Sequence, residues 1–205
     1  MYREIDMTSD PRRAQFDYFL PFADPYASVT VECDITPLRR RAEKLPFFLS
    51  VLFCAVNAAN EVPELRRRIR DGRVIEFDRC LSSHTVALDN GSYCYCTLDC
   101  GMPFADFLPY AQAAVAAAKA NPGLEDGEDA DRLFFVSSLP WLSFSAISLP
   151  VPSPADSNVR ITFGKFFERE GKILLPVSLC VHHALADGIH IARFYENLAN
   201  RICAL

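Results

Sequence analysis

Histidine, tryptophan and glycine are scarce in this sequence: 4, 1 and 8 residues respectively among 205. No GxGxxG follows the first apolar segment, which excludes a dinucleotide-binding Rossmann unit. No CxxC pair occurs either. Cys94, Cys96 and Cys100 stand close together but lack the spacing and second ligand pair of a zinc site, so no metal is expected. Other cysteines sit inside apolar runs, such as Cys54 in "VLFCAV" and Cys180 in "SLCVHH", and read as small buried hydrophobes in a reducing compartment. The opening "MYREIDMTSDPRRAQF" has no apolar h-region, so a cytoplasmic location is expected. The longest apolar run, Leu45–Ala59, is too short and interrupted to span a bilayer and reads as a buried helix. Basic excess is missing too. A net charge of -5 argues against a nucleic-acid partner, while one local basic pocket would still suffice for an anionic small molecule.

What remains is a globular composition, 50% hydrophobic and 23% charged, of a length that fits one domain over residues 1–205. Ala27–Thr36 is β-rich and predicts a strand. Leu45–Asn60 predicts a helix, and "ELRRRIRDGR" a second short helix capped at Gly72. "RVIEFD", "HTVALD" and "SYCYCTLD" predict strands, the last two joined as a hairpin by "DNG". "PFADFLPYAQAAVAAAKANPG" predicts a helix ending before Pro122, and "LEDGEDADR" a solvated loop without the ligand spacing of a calcium site. "LFFVSSLPWLSFSAISL" is β-rich and broken at Leu139-Pro140. "VRITFGKFF" and "KILLPVSLCVHH" predict two strands joined by "EREG". A last helix from about Ile189 carries Ile191, Phe194, Leu198 and Ile202 on one face. Strands interspersed with helices, without a strict β-α-β rhythm, predict a two-layer α/β sandwich: a mixed sheet covered by helices.

The most informative stretch is "VSLCVHHALADGIHIARF". Two adjacent histidines end an apolar strand, so their side chains point to opposite faces, and Asp187 is placed to cap the last helix. Either the histidines fill space or one of them moves a proton. Imidazole, with an ordinary pKa of about 6.5, suits a base working near neutrality.

The pattern HHxxxDG at residues 182–188, extended by "IHIARF", resembles the signature of the chloramphenicol acetyltransferase family. "SSLPW" (137–141), "ITFGKF" before "LLPVSLCVHH", "RRAQFDYF" near the N-terminus and "PELRRRIRDGRVIEFD" also find counterparts there, in order, over nearly the whole chain. The resemblance implies that fold, and transfer of an acetyl group from acetyl-CoA, a co-substrate, to a small-molecule hydroxyl without an acyl-enzyme. It implies His183 as the general base, its tautomer held by backbone contacts. Asp187 would be structural and paired with Arg12 (Arg13 the alternative), a pairing that a buried corner needs. Ser137 would stabilise the oxyanion, Thr162 would position a water beside it, and Lys165 would lie near the CoA end of the site. His182 and His190 read as packing residues, and Lys44 falls near a CoA-contacting lysine of the family. The resemblance also implies a homotrimer with active sites at subunit interfaces, and a role in antibiotic resistance.

The acceptor half departs further from the family. Phe19 stands where a tyrosine packs on the catalytic imidazole, and Tyr93 where a phenylalanine contacts the drug. "PFADPYASVT" and "PSPADSNVRIT" replace the family's pocket-lining segments. Shape and lining decide small-molecule selectivity. The expected acceptor is therefore chloramphenicol or another small hydroxylated molecule. A different, non-antibiotic acceptor, a carrier-bound thiol and a catalytically silent trimeric binding module are the alternatives.

Overall fold

The computed structural model describes residues 1–205 except 42–44 and 128, so Lys44 and Glu128 lie outside the described residues. A mixed seven-stranded sheet forms the centre. Its path runs β2 (Tyr26–Asp34), β10 (Lys172–His182), β8 (Arg160–Phe163), β7 (Leu133–Ser138), β5 (Leu81–Ala87) and β6 (Tyr93–Leu98), with β9 (Phe167–Arg169) paired to β10. The β5–β7 and β7–β8 pairs are parallel and the others antiparallel.

Helices α3 (Phe47–Asn60), α4 (Phe104–Ala120) and α5 (Gly188–Ala204) pack on one face of that sheet. Alternation along the strands decides what meets them. Phe134 and Val136 on β7, Ile161 and Phe163 on β8, and Val177 and Leu179 on β10 enter the shared core. The intervening residues, including Ser137 and Thr162, face the side without helices. α3 is apolar nearly all round and correspondingly buried. Its two asparagines do not strand their amides: Asn57 Nδ2 donates to the Cys100 carbonyl (3.0 Å) and Asn60 Nδ2 to the Cys80 carbonyl (3.0 Å). α5 buries the face anticipated for it, with Ile191, Phe194, Leu198 and Ile202 all inside. The two-layer α/β sandwich is the architecture observed.

Two expectations are corrected. "ELRRRIRDGR" is not a helix: a 3-10 turn at Pro63–Arg66 leads into β3 (Arg67–Arg70), which pairs with β4 (Arg73–Phe77). Asp71 and Gly72 both have positive φ, +50° and +74°, the backbone of a tight hairpin and not of a helix cap. With β1 (Tyr2–Ile5) these strands make a separate three-stranded sheet. The arginine run disguised it, because Arg68 is fully buried and its guanidinium donates to the carbonyls of Leu65, Asp131 and Leu133. The second correction concerns residues 139–159, which form no strand; Pro140, Pro150, Pro152 and Pro154 cannot donate to a ladder. The "DNG" hairpin forms as expected, with Gly91 at φ +82°. Preceding β2 lies α1 (Arg13–Phe19), and after it a short helix, α2 (Thr36–Arg41). Among the described residues no helix is long and apolar enough to cross a membrane.

Candidate active site

β10 stops at His182, and the chain turns through residues 183–187 before α5 begins. The turn is held from several sides. His183 N–H donates to the Pro25 carbonyl (2.7 Å), tying it to the chain just before β2. Arg12 reaches in from the residue preceding α1: one guanidinium nitrogen pairs with Asp187 Oδ2, and the other donates to the His183 carbonyl (3.2 Å). Arg12 is buried and Asp187 keeps a third of its side-chain surface. Burial pushes the Asp187 carboxyl up, but the hydrogen bond and charge of Arg12 outweigh it and the pKa falls below the usual carboxylate value. Asp187 also caps α5 by accepting from Ile189 N–H (3.3 Å).

His190 completes a capping box, its Nδ1 accepting the Asp187 N–H at 3.1 Å. Asp187 Oδ1 lies 2.9 Å from that same nitrogen, a contact that favours protonation, yet burial dominates and lowers the ring's pKa. The structural role expected of His190 therefore has a definite form. Its signal was legible as a side chain three residues after the cap.

The His183 ring is fixed by two contacts. Its Nδ1 lies 3.0 Å from the Ala186 carbonyl oxygen. A carbonyl only accepts, so Nδ1 carries a proton, and in the neutral ring the acceptor nitrogen is then Nε2. Phe19 stacks on the ring with centroids 4.1 Å apart and planes at 21°. His182 has a different environment. It is buried against Tyr26, its Nδ1 accepts from Ala184 N–H (3.3 Å), and desolvation pushes its pKa down to about 4.

Ser137 belongs to another place. It stands near the end of β7, in register with Thr162 on β8, which is in register with Ser178 on β10. Ser137 and Tyr93 line one cleft of about 370 Å³ on the sheet face without helices. β5 and β7 are paired only as far as His84 and Val136, so the sheet opens beside Ser137. Thr162, the in-register neighbour of Ser137, is 1% exposed. Lys165 follows β8, its N–H donating to the Leu142 carbonyl (2.7 Å) and its side chain exposed.

The structure thus brings His183, Arg12, Asp187 and Phe19 together, and separately Ser137, Thr162 and Tyr93. It does not bring the two groups together within one chain. His183 lies five residues beyond the Ser178 rung and two strands across from Ser137, roughly 19 Å at ordinary strand rise and spacing.

Several neighbours had no signal in the sequence. Ser83 Oγ donates to Asp126 Oδ1 in the cleft, and Arg160 makes a two-pronged pair with Asp156 (2.9 and 2.6 Å). Near Lys165, the Arg39 guanidinium sits 5.4 Å from the Phe47 ring and 5.0 Å from the Phe166 ring. The Ser83–Asp126 and Arg39–Phe166 contacts join distant parts of the chain and leave no local pattern, whereas Asp156 and Arg160 stand only four residues apart.

Comparison with known proteins identifies the family. A family model described as chloramphenicol acetyltransferase matches residues 1–199. The chloramphenicol acetyltransferase of Clostridium perfringens is 30% identical over 207 residues, covering 98% of this chain and 99% of that protein. A solved chloramphenicol acetyltransferase superposes with a TM-score of 0.92 at 28% identity, covering 98% of this chain and all of the other. The Azotobacter vinelandii dihydrolipoamide acetyltransferase shares the fold at a TM-score of 0.66 and 19% identity, covering 93% of this chain and 86% of its own. This chain belongs to the chloramphenicol acetyltransferase family.

Proposed function

We propose that the protein is an acetyl-CoA-dependent O-acetyltransferase acting on a small hydroxylated molecule, with chloramphenicol as the reference acceptor, and that it works as a homotrimer. One observation supports the proposal: His183 has its Nδ1 on the Ala186 carbonyl and its ring stacked on Phe19, yet stands roughly 19 Å from Ser137 of the same chain, a separation that a second copy would bridge. A closed ring of identical heterologous contacts would put the His183 of each subunit at the Ser137 cleft of the next.

In that site Nε2 takes the proton of the acceptor hydroxyl as its oxygen attacks the thioester carbonyl of acetyl-CoA. The carbonyl oxygen gains the charge, and the Ser137 hydroxyl donates to it. Collapse of the tetrahedral species breaks the C–S bond, the CoA thiolate takes the proton back from Nε2, and the acetyl ester leaves. No acyl-enzyme forms. Thr162 sits directly across from Ser137 on the adjacent strand, suited to holding a water there. Lys165 and the cluster of Arg39 with the edge-to-face rings of Phe47 and Phe166 supply cations and aromatic surface for the anionic, adenine-bearing end of CoA.

The test is complementation. His183→Ala and Ser137→Ala chains should each be inactive alone. Refolded together in equal amounts, they should regain about a quarter of wild-type thiol release, because one site in four pairs an intact histidine with an intact serine. No recovery from two folded partners would refute the shared site.

A further inference from the structure

The Ser137 cleft carries an uncompensated negative charge. Its charged lining consists of Asp126, Asp156 and Arg160, two carboxylates and one guanidinium, a sum of -1. Asp156 and Arg160 neutralise each other through their two-pronged pair. Asp126 accepts the Ser83 hydroxyl and makes no ion pair among the described residues.

Its position is built and not accidental. The segment after α4 is attached to the edge of β6, where Tyr95 N–H donates to the Gly123 carbonyl (2.9 Å), and the chain then folds back to set Asp126 on Ser83 of β5. Beside it the rings of Tyr93 and Tyr95, two residues apart on one strand, form an aromatic wall with centroids 6.0 Å apart and planes at 29°. The Tyr95 phenol feels this surrounding: burial, then Tyr93, then the Asp126 charge all push its pKa up.

A carboxylate sharing one cleft with two aromatic rings is an arrangement that recognises an organic cation. An uncharged acceptor filling the same cleft would strip water from Asp126 and return only the Ser83 hydroxyl, which is unfavourable. An ammonium group would be bound by the carboxylate and the rings together. The remaining walls, Leu149, Pro150 and Pro152, are apolar and suit the body of a small molecule. We propose that the natural acceptor is a hydroxylated amine, and that Asp126 with Tyr93 and Tyr95 reads its ammonium group while Ser137 faces the hydroxyl being acetylated. This rests on the acetyl-transfer reading above.

The experiment compares two acceptors that differ in charge. One is chloramphenicol, whose amide and nitro nitrogens give the molecule no net charge. The other is the amino diol left when its dichloroacetyl group is removed, which keeps both hydroxyls and carries a free ammonium. Thiol release from acetyl-CoA gives kcat/KM for each, and tandem mass spectrometry places the acetyl group on oxygen or nitrogen. The amino diol should be preferred and acetylated on oxygen. In Asp126→Asn the preference ratio should fall about tenfold, carried by KM, and Asp126→Glu should restore most of it. If both acceptors react and the ratio is the same in Asp126→Asn, the cation site is wrong while the transfer reading stands. If neither releases thiol, calorimetric titration of the amino diol decides. Binding that is lost in Asp126→Asn would keep the cation site and remove the transfer reading; no binding to the wild-type protein would overturn the proposal.

Discussion

Acidification from about pH 7 to about pH 5 should destabilise this protein well before its carboxylates titrate. His84 is 2% exposed, neither ring nitrogen has a hydrogen-bond partner, and its polar surroundings amount to a weak influence from the Cys96 backbone. Desolvation pushes its pKa from 6.5 down to about 4. His182 is 4% exposed and shifted to about 4 by the same cause. A folded pKa below the unfolded one means that the unfolded chain binds more protons in between. The stability is therefore complete above 6.5 and is lost as pH falls from there towards 4. Over about pH 7 to 5 each ring costs roughly 1.8 kcal/mol, so the pair costs on the order of 4 kcal/mol out of a typical 5–15. The assay is urea unfolding across that range at fixed protein concentration, for wild type and His84→Phe. Phenylalanine keeps the contact with Phe48, whose ring lies 5.2 Å from the imidazole, and removes the titration. Its extra volume changes the offset of the curve and not its slope. The slope should drop by roughly a third to a half, since His182 remains and His190, also pushed down by burial, adds a loss of the same sign. Equal slopes in the two proteins would refute the buried, neutral His84.

Other perturbations separate the corner from the cleft. Asp187→Asn should lower stability by about 2–3 kcal/mol, short of a fully buried pair because a third of the Asp187 side chain is exposed, and kcat should fall with it; stopped-flow turnover and melting curves check both. Ser137→Ala should lower kcat about 10²–10³-fold with little change in melting temperature, the size expected of one preorganised oxyanion donor. Phe19→Ala should lower kcat about tenfold by freeing the His183 ring, and Phe19→Tyr should restore it, since the stack needs the ring and not a hydroxyl.

The parts of this protein that were legible in the sequence are those whose causes are local. Asp187 caps α5 because it sits immediately before the helix, the "DNG" hairpin closes because Gly91 takes a positive φ, and α5 buries the face its periodicity defines. The hairpin at Asp71-Gly72 carries the same kind of turn chemistry. It was misread because the arginines around it look solvent-seeking, whereas Arg68 finds its partners on carbonyls 63 and 65 residues further along the chain.

The same division runs through the site. The corner that holds His183 is specified mostly within residues 182–190, with Arg12, Phe19 and Pro25 as remote partners, and of these Arg12 and Phe19 are legible only through the family resemblance. The charge in the acceptor cleft arises from Ser83 meeting Asp126 across 43 residues, in a segment that reads as a plain acidic loop. Catalysis constrains a few atoms next to the base and so writes a compact motif. Selectivity depends on which distant segments share a wall, and any pair of segments can supply that wall. A chain can therefore keep one proton chemistry while the walls of its cleft vary, and the proposed selectivity for an amine turns on the charge that Ser83 and Asp126 bring to the Ser137 cleft.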